Sequence, residues 1–176
     1  MALLFLLGPT AAHARDQTRA SEPAVKAAYL FNFAQFVRWP AGAVEAGRPF
    51  NICIIGRDPF GSALDATLAH ESLDGHPAAV RRIATTTEAE TCQLVFIPAT
   101  EEPRLDPLLR AIAGKPVLTV SDIPRFVDRG GMIQFVSVDK RVRFEINLDA
   151  TEAVKLAPSS ELARVAVAVH RTPAAQ

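Results

Sequence analysis

The chain has 176 residues, of which 49% are hydrophobic and 22% charged; this is the size and make-up of one ordinary domain that buries its own core. Lys plus Arg is 19 and Asp plus Glu is 19, for a formal net charge of zero, so the basic excess that drives nucleic-acid binding is missing and no nucleic-acid partner is expected. The same composition excludes a disordered, collagenous or coiled-coil chain.

Residues 1–14 read as the remnant of a secretory signal peptide. Met1 to Leu7 is an apolar run, and Ala12-His13-Ala14 is a small-x-small cleavage site. The Lys or Arg that normally opens such a leader is absent before Arg15, and a buried N-terminal helix is the alternative. Cleavage after Ala14 leaves a flexible N-terminus at 15–20, one domain at 21–170 and a tail at 171–176. No later stretch holds about 18 consecutive apolar residues, so the mature protein is not expected to span a membrane itself.

Ser21 caps a helix with Glu22 and Pro23 in its first turn. Val25, Tyr29, Phe33, Phe36 and Val37 keep helical spacing, and Pro40 ends the helix at Trp39. Phe50 to Ile55 is a buried strand. A helix over Phe60 to Ala69 turns Leu64 and Leu68 inward, and Leu73 to Pro77 is a turn. A strand over Ala79 to Ile83, a short polar connection at Thr85 to Glu90 and a strand over Leu94 to Ile97 follow. Glu101 to Ala113 reads as a helix stopped by Gly114, and Pro116 to Val120 as a strand. Asp122 to Arg129 is a short helix or ordered loop, broken by Gly130-Gly131.

Met132 to Val138 and Arg141 to Leu148 form a hairpin around Asp139-Lys140. In its second arm Val142, Phe144, Ile146 and Leu148 alternate with Arg141, Arg143, Glu145 and Asn147, the mark of one buried and one polar face. Asp149 to Lys155 and Ser159 to Val169 read as helices separated by Pro158. This order predicts an α/β chain: a single-domain, three-layer α/β/α sandwich with a mainly parallel sheet and an antiparallel C-terminal hairpin at its edge.

A parallel sheet invites a nucleotide-binding test, which the chain fails. Gly56-Arg57-Asp58-Pro59-Phe60-Gly61 is neither GxGxxG nor a P-loop, and Pro59 lacks the N–H that a phosphate cradle uses. His70, His76 and His170 have no metal-ligand spacing, and no serine lies in GxSxG. Glu101-Glu102 reads as helix N-terminal charge rather than a catalytic pair. Arg81-Arg82 reads as solvated surface. No catalytic residue, cofactor or metal is expected, and the chain is read as a non-enzyme. Glu145, between Arg143 and Asn147, is either a solvated or cross-strand ion pair or a polar contact to a partner. Trp39 is either such a contact or a core aromatic.

Cys53 and Cys92 are the two cysteines, without a CxxC neighbour. In an exported chain an even count points to a disulfide, which closes a loop of about 40 residues and contributes roughly 3–4 kcal/mol. Two buried free thiols are the alternative.

The run Ala24 to Phe33 with Phe36-Val37-Arg38-Trp39-Pro40 resembles the opening of YfiR family proteins. So do Phe50 to Gly56 with Asp58-Pro59-Phe60-Gly61, Cys92 to Ile97, Pro116 to Asp122, and Gly130 to Ile133 through Arg143 to Asn147. The matches run in order from about residue 24 to 168. The resemblance implies a periplasmic α/β sandwich that dimerises and binds the periplasmic domain of an inner-membrane diguanylate cyclase, lowering cyclic di-GMP. It implies that Cys53 and Cys92 form one family disulfide; the second disulfide of some members has no cysteines here. Trp39, Arg143, Glu145 and Asn147 are the candidate partner contacts. The alternative function is a periplasmic small-ligand or redox sensor acting on another membrane protein.

Overall fold

The structure is a computed structural model and describes residues 20–171. The leader at 1–14, residues 15–19 of the N-terminus and residues 172–176 of the tail lie outside the described residues.

Helix α1 spans Glu22–Phe36, with the Ser21 side chain accepting the Ala24 N–H and Pro23 in the first turn. It buries Ala27, Leu30, Phe33 and Ala34. It stops short of Trp39, contrary to the sequence expectation. Val37 is extended (φ −107°, ψ 132°) and opens strand β1 (Val37–Arg38). That strand pairs antiparallel with β9 (Ala157–Pro158), and the Ser159 N–H donates to the Phe36 carbonyl at 2.8 Å. A long-range clasp thus takes over the backbone before Pro40 does.

The remaining strands are β2 (Phe50–Ile55), β3 (Ser72–Leu73), β4 (His76–Ile83), β5 (Leu94–Ile97), β6 (Leu118–Ser121), β7 (Ile133–Val138), β8 (Arg141–Asn147) and β10 (Ala168–His170). They form one sheet in the order β10-β8-β7-β6-β5-β2-β4-β3, parallel except at β3–β4 and β7–β8. The helices are α2 (Ser62–Leu68), α3 (Thr86–Ala89), α4 (Leu105–Ala111), α5 (Leu148–Ala153) and α6 (Ser160–Val165).

Strand alternation divides the core between the two faces. Ile52, Ile54, Leu94, Phe96, Phe135, Phe144 and Ile146 meet α1, α2 and α6 through Leu30, Phe33, Leu64 and Leu162. Cys53, Ile55, Val95 and Ile97 meet α3 and α4 through Ala89, Leu105 and Leu108. This is the expected three-layer sandwich. Phe33 lies at the centre of the first face: its ring is 4.9 Å from Phe144, 5.7 Å from Phe135 and 5.7 Å from Tyr29.

Three boundaries depart from the sequence reading. The turn at Leu73 is a small hairpin, β3–β4, with Asp74 (φ 50°) and Gly75 (φ 81°) supplying its left-handed corner. The helix expected from Glu101 begins as a 3-10 segment, Ala99–Arg104, because Pro103 cannot donate inside an α-helix; α4 follows. The helix expected to Val169 ends at Val165. Ala166 turns extended (ψ 141°), the Val167 N–H donates to the Phe144 carbonyl, and β10 lies parallel to β8. The C-terminal hairpin is therefore present but is not the sheet edge. Its corner, Asp139 (φ 50°) and Lys140 (φ 58°), adopts the mirror-image turn without the glycine that such turns favour.

Arg82 on β4 ties α2 to the sheet. It donates to Asp58, to the Gly61 carbonyl at 3.2 Å and to Asp65 on α2. Its hydrogen bond holds the Asp65 carboxyl below the ordinary carboxylate range. A depressed carboxylate contributes stability that is present above its unfolded pKa and lost as pH falls through the folded one. The stability difference between wild type and Asp65→Asn is therefore expected to be full near about pH 6 and to close below about pH 4, read by urea denaturation across pH. In the same assay Phe33→Ala is expected to cost about 3–5 kcal/mol, since it empties a fully buried aromatic site; a loss under about 1 kcal/mol would show that the cluster is not central.

Candidate partner-binding face

On β8, Phe144 and Ile146 enter the core, and Arg141, Arg143, Glu145 and Asn147 take the opposite face. Across the hairpin Arg141, Arg143 and Glu145 stand level with Val138, Val136 and Gln134 of β7. Glu145 Oε2 lies 3.0 Å from His170 Nε2 on β10. The cross-strand pairing open for Glu145 from the sequence is thus realised, with a residue that the sequence had placed beyond a helix. Arg143 is half-buried and donates from Nη1 to the Val142 carbonyl at 3.1 Å.

Asn147 is committed at both ends of its amide. Its Oδ1 accepts the Ala150 N–H at 3.0 Å and caps α5, while Nδ2 donates to the Val127 carbonyl at 3.1 Å. Trp39 is half-buried beside β1. Its Nε1 donates to the Pro116 carbonyl at 3.1 Å and its ring meets Phe50 edge-on at 4.9 Å. The structure thus gathers Arg143, Glu145 and Asn147 on one strand and leaves Trp39 beside Phe50 and Pro116, apart from them.

Sequence reasoning missed a groove of about 680 Å³ between the first half of α1 and the end of the β7–β8 hairpin. Val25, Tyr29, Phe135 and Val142 give it an apolar floor, and Lys26, Lys140, Arg141 and Arg143 give it cations. Tyr29 donates to the Val142 carbonyl at 3.5 Å. Lys26 pairs with Glu22 at 2.7 Å and Asp122 at 3.0 Å, and stands 5.8 Å from the Phe135 ring centre. Burial pulls the Lys26 ammonium down, but its bonds to Glu22 and Asp122 outweigh that and hold it above the ordinary lysine range. The signal available in the sequence was Lys140-Arg141-Val142-Arg143, three cations at a hairpin corner.

Cys53 and Cys92 form a disulfide with a Cα separation of 6.1 Å, both sulfurs' residues being buried. It staples β2 to the segment between α3 and β5. Beside it Gln93 accepts the Asn51 N–H at 2.8 Å and donates to the Ala43 carbonyl at 2.8 Å. Cys92 also lines a second cavity, of about 710 Å³, with Arg48, Arg81 and Glu90. Among the described residues no cluster of His, Cys, Asp and Glu is arranged to hold a metal ion. Among them, too, no helix is long and apolar enough to cross a membrane.

A crosslink closing a loop of this length contributes roughly 3–4 kcal/mol. Replacing both Cys53 and Cys92 by Ala is expected to lower the unfolding free energy by about that amount, and dithiothreitol is then expected to leave the double variant's denaturation midpoint unmoved while lowering that of the wild type. Equal response of the two proteins to reductant would rule out the bridge as the source.

One comparison with known proteins bears on the whole domain. The family model described as YfiR/HmsC-like matches residues 23–167, most of the chain. The chain belongs to this family.

Proposed function

We propose that this YfiR/HmsC-like protein is a periplasmic negative regulator that binds the periplasmic domain of an inner-membrane diguanylate cyclase and so lowers cyclic di-GMP. The observation that carries this reading is the family match across residues 23–167. The Cys53–Cys92 bridge supports the location, because disulfides persist in oxidising compartments.

The reading assigns binding rather than catalysis to the polar face of the C-terminal hairpin. Arg143 and Glu145, both half-buried at the surface, are the proposed contacts. Asn147, whose amide is taken up within the fold, is proposed to hold the shape of that surface; Trp39, beside Phe50 and Pro116, stands apart from it. By family resemblance the active form is a homodimer.

A second reading, a small-ligand or redox sensor acting on another membrane protein, draws on one observation: Cys92 lies in the wall of an open cavity. Reduction there would reach a bond that staples β2 to the segment between α3 and β5.

The test is affinity capture. The protein from Arg15 to Gln176 serves as bait on detergent-solubilised membranes of its own host, read by mass spectrometry. Enrichment of a diguanylate cyclase is expected. Retention of a different membrane protein alone, or of nothing, would overturn the cyclase assignment and put the sensor reading first. With the captured cyclase domain in hand, Glu145→Lys is expected to weaken binding at least about tenfold. His170→Ala breaks the same internal pair without reversing charge, and is expected to stay within about threefold. Equal losses in both variants would show that Glu145 matters only through His170.

A further inference from the structure

The groove under α1 carries charge that the fold leaves uncompensated. Four cations line it, Lys26, Lys140, Arg141 and Arg143, against two carboxylates, Glu22 and Asp122. Both carboxylates are already taken by Lys26, and Asp122 also accepts the Ala99 N–H at 2.9 Å. Lys140, Arg141 and Arg143 have no ion-pair partner among the described residues. Lys140 and Arg141 are exposed at the hairpin corner.

In a chain of zero net charge this is a local imbalance, not a share of a general excess. Asp139, exposed at the same hairpin corner, adds one carboxylate beside Arg141 and Arg143 and leaves the cations in excess. Beneath the cations the floor is apolar and aromatic, with half-buried Tyr29 against the buried Phe135 ring. The hairpin backbone at Asp139-Lys140 is fixed in its left-handed corner, which sets the direction in which the cations project.

We propose that this groove receives an acidic peptide segment of a protein partner, with its carboxylates against Lys140, Arg141 and Arg143 and an aromatic or aliphatic side chain on Tyr29 and Phe135. The proposal rests on the reading that this chain acts by binding a protein, and it names the chemistry that the partner presents. Steering by the exposed cations speeds encounter, and the floor supplies apolar burial.

The test uses fluorescence anisotropy on the protein from Arg15 to Gln176. The probes are two labelled dodecapeptides, one of Glu-Glu-Phe repeats and one of Lys-Lys-Phe repeats. The acidic peptide is expected to bind at least tenfold more tightly than the basic one, and to weaken about tenfold between about 20 and 200 mM salt. Lys140→Glu with Arg141→Glu is expected to lose the acidic peptide at least tenfold. Arg57→Glu with Arg110→Glu, an equal charge change at two exposed arginines outside the groove, is expected to change binding less than twofold. Equal losses in the two double variants, or none in either, would overturn the groove assignment.

Membrane capture separates this proposal from the cyclase reading. A cyclase retained equally by wild type and by the Lys140→Glu, Arg141→Glu variant would overturn the groove and leave the regulator reading standing. No cyclase on the wild type would overturn the regulator reading, while the peptide titration still decides the groove.

Discussion

The contact on which most of this molecule depends is the stacking of α1 onto the C-terminal hairpin through aromatic rings. Tyr29 and Phe33 from the first helix meet Phe135 and Phe144 from β7 and β8, with centroid distances between 4.9 and 5.9 Å. Phe135 passes the contact on to Phe96 in β5, which meets Phe60 before α2. One continuous aromatic seam thus joins the start, middle and end of the chain. Edge-on and tilted pairs of this kind add specificity of angle to the area they bury. The groove inherits its shape from that seam, because its floor is the outer end of the same ring cluster.

The disulfide does complementary work on the opposite face of the sheet. The aromatic seam fastens helix to hairpin, whereas Cys53–Cys92 fastens two neighbouring central segments that already share a parallel register. Neither device uses a buried charge. Among the described residues most ion pairs lie at partly exposed sites, such as Arg82 with Asp58 and Lys26 with Asp122, where such pairs contribute modestly; buried Glu101, paired with exposed Arg104, is the exception. Folding stability therefore resides in apolar burial and one crosslink, leaving the hairpin's cations without a structural task inside the domain.

Much of the fold was legible because its central strands are short apolar runs with turn residues on both sides. Phe50 to Ile55 and Leu94 to Ile97 were placed to the residue, and the β7–β8 hairpin within one position at its ends. What escaped was backbone decided at long range. Val37 and Val167 each continue a helical pattern in apolarity but are β-branched, and each is claimed by a strand far along the chain. The cysteine pair was expected from an even count in an exported chain and from the family resemblance, with two free thiols as the alternative, and the structure bridges it. The groove was not, since it joins α1 to a hairpin more than a hundred positions away and no local pattern encodes that meeting. Asn147 shows the converse: an alternating polar residue looks like surface until the helix that it caps is seen to begin at Leu148.

The clasp between β1 and β9 bears on how the chain reaches this state. Val37 pairs with Pro158, and Tyr29 reaches the carbonyl of Val142 across a separation of 113 residues. Helix α1 meets α2 close along the chain, but its contacts with β8 and α6, and the β1–β9 clasp that follows it, form only once nearly the whole domain has been made. High separation between contacting residues slows folding, because the entropy of closing the large loop is spent before the contact returns anything. The parallel β2–β4–β5 segment has no such wait, and it contains both cysteines. The contacts that join the two ends of the chain, from the aromatic seam to the β1–β9 clasp, are thus expected to close last.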